Sequence, residues 1–147
     1  MAENTRFGKL WVVATPIGEP TDITQRAVAL LGDVDFVICE ERKEGSKLLK
    51  QLAIQKPLIE LNEHNEQQML QDVIIELMNG KSMALVSDGG TPVFSDPGRA
   101  LLQMAHEMNI PVSAAPGASS LMAAISLCPF DLRQFFFAGF LPPKTEE

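Results

Sequence analysis

The chain has 147 residues, 46% of them hydrophobic and 21% charged. That length and composition suit one globular domain with at most a short extension, and exclude two large domains, a disordered chain and a collagen-like repeat. Lys and Arg number 12 against 19 Asp and Glu, a net charge of −7, which favours solubility and opposes non-specific nucleic-acid binding by the domain as a whole.

Residues 10–14 (LWVVA) are a continuously apolar, β-branched run that breaks at Thr15, Pro16, Ile17 and Gly18, the pattern of a buried parallel strand. Thr21 or Asp22 is placed to cap a helix whose apolar residues Ile23, Ala27, Leu30 and Leu31 recur at helical spacing, with Gly32 at its end. A second strand is expected over residues 35–40. Over residues 42–52 the spacing is helical again, with Leu48, Leu49 and Leu52 on one face and Lys43, Lys47 and Lys50 on another, so this helix is amphipathic and basic. Residues 57–61 read as a short strand. Asn65 then caps a helix carrying Met69, Leu70, Val73, Ile74, Leu77 and Met78 toward a core, and Gly80 stops it.

Residues 83–86 form the next buried strand, and the loop that follows runs into Asp96-Pro97, an Asp cap with Pro at the first helical position. Residues 111–114 make a fifth strand, Ser119 or Ser120 caps a helix through Leu127, and residues 134–139 (QFFFAG) carry the aromatic bias of one more strand. The alternation predicts an α/β fold, a parallel sheet covered by helices on both faces. Ligands in such sheets sit beyond the carboxyl ends of the strands, so the loops after strands one, four and five are expected to line one crevice.

Several chemistries lack their parts. The chain has no GxxxxGK[ST] loop, GxGxxG fingerprint, GxSxG elbow or HExxH pair, so nucleotide hydrolysis and metal chemistry are not expected. Cys39 and Cys128 are too few for a disulfide framework and read as buried thiols. No apolar stretch approaches the roughly 20 residues of a membrane-spanning helix, and Glu3, Arg6 and Lys9 near the start leave no visible secretory signal, so a cytoplasmic protein is the expectation.

The loop SDGGTPVFSDPG (residues 87–98) combines glycines that permit close backbone approach with prolines that fix the chain, a composition suited to presenting backbone groups to a ligand. A helix cap accounts for Asp96 and Pro97, but no ordinary turn needs all of residues 88–91. TPIGEPTDIT (residues 15–24) has the same character, and PGASS (residues 116–120) puts small residues at a helix start, where free N–H groups accept ligand oxygens or a serine cap satisfies them. Residues 63–66 (EHNE) could supply an acid or base but are explained more simply by a polar helix entry, His106 reads as a helix-face residue, and the Met residues read as core filler. Arg42, Lys43, Lys47, Lys50 and Lys56 concentrate positive charge within fifteen residues of an otherwise acidic chain.

VATPIGEPTDIT, ALVSDGGTPVFSDPG, PGASSLMAA and FFFAGFLPPK, in this order and spacing, resemble the tetrapyrrole methylase superfamily of S-adenosylmethionine-dependent methyltransferases. Within it they are most similar to the branch that methylates a cytidine 2′-hydroxyl of small-subunit ribosomal RNA. The resemblance spans about Leu10 to Lys144. It implies a parallel-sheet three-layer domain over residues 1–131, followed in residues 132–147 by only the opening strand of a second domain. It further implies a homodimer, and S-adenosylmethionine as cofactor in the cleft between the two domains. By position, the resemblance assigns Thr15, Pro16 and Ile17 to one edge of that pocket, Asp88, Gly90, Thr91 and Phe94 to the loop after the fourth strand, and Ser119 and Ser120 to a helix-start contact.

Two departures bear on the acceptor: Glu40, Glu41, Arg42 and Lys43 stand where the ribosomal branch typically has Glu-Asp-Thr-Arg, and PGASS stands for PGPSA. The first opens the basic helix, whose Arg42, Lys43, Lys47 and Lys50 are expected to approach ribosomal RNA. A ribose hydroxyl must lose a proton, and Glu40, Glu41, Glu63 and His64 are candidate acceptors among which the residues do not choose. Two other readings stand beside this one. A methylase of a small molecule such as a tetrapyrrole would not require the basic helix, and a folded binding module would show no turnover.

Overall fold

Short apolar strands and amphipathic helices alternate from residue 10 onward, and each crossover helix must bury its apolar stripe on the sheet that the strands form. In the computed structural model, which describes residues 6–92 and 97–144, the order is β1 (Leu10–Val13), α1 (Gln25–Asp33), β2 (Phe36–Cys39), α2 (Arg42–Gln51), β3 (Leu58–Glu60), α3 (Glu66–Met78), β4 (Met83–Leu85), α4 (Arg99–Glu107), β5 (Val112–Ala115) and α5 (Ser120–Ser126). The sheet is parallel, in the order β3-β2-β4-β1-β5. Leu10 stands opposite Met83 and Val112, and Val37 opposite Ala84 and Leu58.

Alternate strand residues feed two cores, one on each face, giving the expected three layers. Leu10, Ile38, Met83 and Leu85 pack with Val73, Ile74 and Leu77 of α3 and Leu101 and Ala105 of α4. On the other face Val13, Val37, Cys39 and Ala84 pack with Ala27 and Leu31 of α1 and Leu49 of α2. Parallel crossovers are right-handed, so strands that step one way along the sheet put their helices on one face and strands that step back put theirs on the other. β4 therefore lies between β2 and β1, both of which send their chains to the opposite face from its own. Adjacent chains parting in this way open a crevice at the strands' carboxyl ends.

Several boundaries differ from the sequence expectation for local reasons. α1 is capped by Thr24, whose side chain accepts from the Ala27 N–H at 3.0 Å, not by Thr21 or Asp22. Thr21 is engaged instead by Glu19, whose carboxylate accepts its hydroxyl at 2.8 Å. Gly32 lies inside α1, which runs on to Asp33. α4 starts at Arg99 after Gly98, whose φ of 114° only glycine tolerates readily, so Pro97 is not the first helical residue. Asp96 lies outside the described residues. Ser119, not Ser120, caps α5. The strand expected over residues 134–139 is not formed: a strand needs a ladder partner, and this segment joins neither edge of the sheet.

Candidate functional site

Three turns meet at the carboxyl end of β1. Thr15, 3% exposed, forms an isolated antiparallel bridge with Gly90: its N–H donates to the Gly90 carbonyl at 3.0 Å, and the Gly90 N–H donates back at 2.9 Å. The Thr91 hydroxyl donates to the Ala118 carbonyl at 3.0 Å, tying the loop after β4 to the loop after β5. The buried Ser87 hydroxyl lies within hydrogen-bond distance of the Gly89 and Gly90 carbonyls, at 3.0 and 3.2 Å, and so stiffens the loop from inside.

Glycine is favoured here by space and, at Gly90, by backbone angle. Gly90 has φ 83°, and a Cβ built on it would lie 3.1 Å from Ile17 Cγ2. A Cβ on Gly89 would lie 3.3 Å from the Pro16 carbonyl oxygen, and one on Gly117 3.0 Å from Ala14 Cβ. The loops after strands one, four and five thus line one rim, as the topology requires.

Ile17, 44% exposed, stands between two hollows on this rim. The first, about 280 Å³, is lined by residues 15–18, by Ser87, Asp88 and Gly89, and by α2 through Glu44, Lys47 and Gln51. The second, about 390 Å³, lies over the start of α1 and the Gly117–Ser119 turn. Of the expected contact residues, Thr15, Pro16, Ile17 and Asp88 line the first hollow, Gly90 ties the loop after β4 to the first loop and Thr91 ties it to the third, and Ser119 lines the second hollow. Ser119 also caps α5, its Oγ accepting from the Met122 N–H at 3.3 Å. Ser120 lines neither hollow, and Phe94 lies outside the described residues.

The other half of the rim, after β2 and β3, is held by side chains. Glu41, the N-cap residue of α2, makes no capping bond with its side chain. Glu60, at the end of β3, supplies the missing acceptor: its Oε2 takes the Arg42 N–H at 2.9 Å, while its Oε1 takes Asn62 Nδ2 at 3.1 Å. Asn65 Nδ2 donates to the Glu60 carbonyl at 2.8 Å, and Asn65 Oδ1 accepts the Asn62 N–H at 2.9 Å. Asn65 thus anchors the β3 turn and makes no side-chain capping bond to α3.

Of the candidate proton acceptors, Glu40 is half-buried, whereas Glu41, Glu63 and His64 are exposed, and none of the four lines the first hollow. Two other carboxylates do, Asp88, already among the expected contact residues, and Glu44, which sequence reasoning missed. Glu44 faces the hollow through its helical offset from Lys47 and Leu48, a signal visible only once α1 and the β1 loop are known to lie on that flank.

Cys39 is buried beneath α2, where Gly45 comes so close that a Cβ on it would lie 2.8 Å from Cys39 Sγ. Burial pushes its thiol up to about 11, against an opposing pull from Arg42, so it is neither thiolate nor nucleophile near neutrality. No cluster of metal-ligating side chains occurs among the described residues, and no helix among them is long and apolar enough to cross a membrane.

The sequence profile of the family described as Tetrapyrrole (Corrin/Porphyrin) Methylases matches residues 9–147. Curated relatives include proteins named Ribosomal RNA small subunit methyltransferase I. That of Leptospira biflexa is 44% identical over 147 residues, covering 100% of this chain and 61% of that protein. That of Neisseria meningitidis serogroup B is 42% identical over 140 residues, covering 95% of this chain and 48% of that protein. The chain thus spans about half to three-fifths of the length of the curated relatives it matches. Among solved structures, a uroporphyrin-III-C-methyltransferase from Thermus thermophilus has the same fold, with a TM-score of 0.62 and 22% identity, covering 86% of this chain and 54% of that one.

Proposed function

The chain belongs to the tetrapyrrole (corrin/porphyrin) methylase family, and from that premise we propose that it is the methyl-donor-binding domain of an S-adenosylmethionine-dependent methyltransferase acting on a ribose 2′-hydroxyl of small-subunit ribosomal RNA. The observation that carries the donor assignment is the knitting of three turns into one rim by the Thr15–Gly90 bridge and the Thr91–Ala118 bond. The relatives' shared name supports small-subunit ribosomal RNA as the molecule methylated.

The rim suits a nucleoside donor. Gly89 and Gly90 keep side chains out of the space beside Pro16 and Ile17, which leaves backbone groups accessible on that side, with Ile17 as an apolar face. The first hollow, at about 280 Å³, falls just below the roughly 300–1,000 Å³ of complete ligand pockets, as one wall of a cleft closed from a second side would. S-adenosylmethionine supplies an electrophilic methyl group on a sulfonium sulfur. The chain's part is positioning: a rim fixed by backbone bonds holds the donor without side-chain reorganisation, and alignment of reactants alone lowers barriers by several kcal/mol (about 7 or more in the best intramolecular cases).

The acceptor hydroxyl must pass its proton to a group within hydrogen-bond reach. Glu44 joins Glu40, Glu41, Glu63 and His64 as a candidate, on the strength of its place in the hollow. Arg42, Lys43, Lys47 and Lys50 lie on exposed positions of α2 beside it and supply the charge that an RNA backbone would neutralise. The same reading includes a second domain opening near residue 132, a homodimer and a cytoplasmic setting.

Calorimetric titration with S-adenosylhomocysteine tests the donor assignment. Saturable binding that Thr91→Arg abolishes is expected. Equal affinity in the variant would contradict it.

A further inference from the structure

Resting on the RNA reading, we propose that α2 is a ridge over which the RNA strand passes, and that a third hollow on its outer flank, walled by Lys50 and Lys56, is a second docking point for the strand's sugar–phosphate backbone. At about 100° per residue, Lys43, Lys47 and Lys50 fall within about 60° of one another on the exposed crest. Glu44, Lys47, Leu48 and Gln51 descend on one flank into the first hollow. Ser46, Leu49 and Lys50 descend on the other into a hollow of about 590 Å³ at the β3 edge of the sheet.

The outer hollow is shaped by the end of α2. Ala53 takes a left-handed conformation, φ 54°, and the Ile54 N–H returns to the Leu49 carbonyl at 2.9 Å, so the chain doubles back and brings Gln55 and Lys56 opposite Lys50. Leu49, Ile54 and Leu58 form an apolar floor. Lys43, Lys47, Lys50 and Lys56 form no salt bridge with a described residue, although the chain as a whole carries −7.

A concentration of cations without a salt-bridge partner on an acidic body favours a polyanion. The alternation of charged walls with an apolar floor matches a chain that alternates phosphate with ribose and base. The occupant is therefore single-stranded RNA, entering from the donor rim across Lys47 and leaving past Lys50 and Lys56.

The test is fluorescence-anisotropy binding of a labelled single-stranded RNA oligonucleotide to the full chain across a salt series, with Lys56→Glu beside Lys81→Glu. Lys81 is exposed in the α3–β4 connection and outside the three hollows. Lys56→Glu is expected to weaken RNA binding about fivefold to tenfold and to reduce the salt slope by about 1, with S-adenosylhomocysteine affinity unchanged. Lys81→Glu is expected to stay within about twofold of the parent. Equal effects from the two would overturn the outer docking point, because only net charge would then matter. Loss of binding on reversing Lys43 and Lys47, with none from Lys56→Glu, would keep the RNA reading and remove this extension. Tighter binding of polyglutamate than of RNA would overturn it in favour of an acidic protein partner.

Discussion

The two halves of the carboxyl rim are built by different means. After β1, β4 and β5 the turns are joined mainly by backbone groups, the Thr15–Gly90 pair and the Ala118 carbonyl, and a Cβ on the glycines between them would crowd its neighbours at 3.0–3.3 Å. After β2 and β3 the turns are joined by side chains, with Glu60 reaching across eighteen residues to cap α2 and Asn62 and Asn65 bonding to it and to each other. A backbone-built half presents the same groups whatever side chains surround it, which suits a ligand that does not change. The other half can be retuned by single substitutions, and under the proposed function it faces the acceptor.

That contrast predicts a graded response to mutation. Gly90→Val should have the largest effect, because it forces a β-branched residue to φ 83° and puts its Cβ 3.1 Å from Ile17. Strain of this kind costs about 1–3 kcal/mol before any packing adjustment, and urea unfolding should show at least that loss. A stability within about 0.5 kcal/mol of the parent would mean that the rim is not held by its backbone.

Next comes a pH effect beneath the side-chain-built half. The Cys39 thiol is raised from 9.0 to about 11 by burial, so the folded state holds its proton more tightly than the unfolded state. Its contribution to stability is complete below about pH 9 and is lost as pH rises toward 11, on the order of 2 kcal/mol. Denaturant midpoints from pH 8 to 11 should fall more steeply for the parent than for Cys39→Ala. Parallel curves would refute the assignment.

Glu60→Ala should cost about 1 kcal/mol, the usual effect of losing a helix cap, and should speed amide exchange at Arg42, whereas Glu60→Gln keeps an acceptor and most of the protection. The smallest change is expected from Thr91→Val, which removes one exposed hydrogen bond worth about 0.5–1 kcal/mol but should lower S-adenosylhomocysteine affinity more than Glu60→Ala does. The reverse ranking would dissolve the distinction between the halves.

What the residues disclosed in advance follows the range of the interactions. The buried strands, the basic α2 and the glycine-rich turns are local patterns, and LWVVA, the 42–52 periodicity and SDGGTP each announced an element or a loop of the expected kind. That Thr15 would bridge Gly90 required knowing that β1 lies beside β4, a fact of topology. Glu60 as the cap of α2 left no local signal, because a cap is sought next to its helix and this one comes from the neighbouring strand. Thr24 caps α1 because the helix starts at Gln25, later than the pattern suggested, and Thr21 is bonded to Glu19 instead. The aromatic run at residues 134–139 was read as a strand from composition, but Phe135, Phe136 and Phe137 are exposed, since composition cannot supply the neighbour that a ladder needs.

The central claim is that three turns on one rim cradle the methyl donor, and amide chemical-shift mapping with S-adenosylhomocysteine on the isotope-labelled chain tests it most directly. Resonances of Ile17, Gly89, Gly90 and Ala118 should move together along one saturation curve while those of residues 50–56 stay in place. Shifts centred on the outer flank of α2, or a rim left unmoved at saturating nucleoside, would contradict the account.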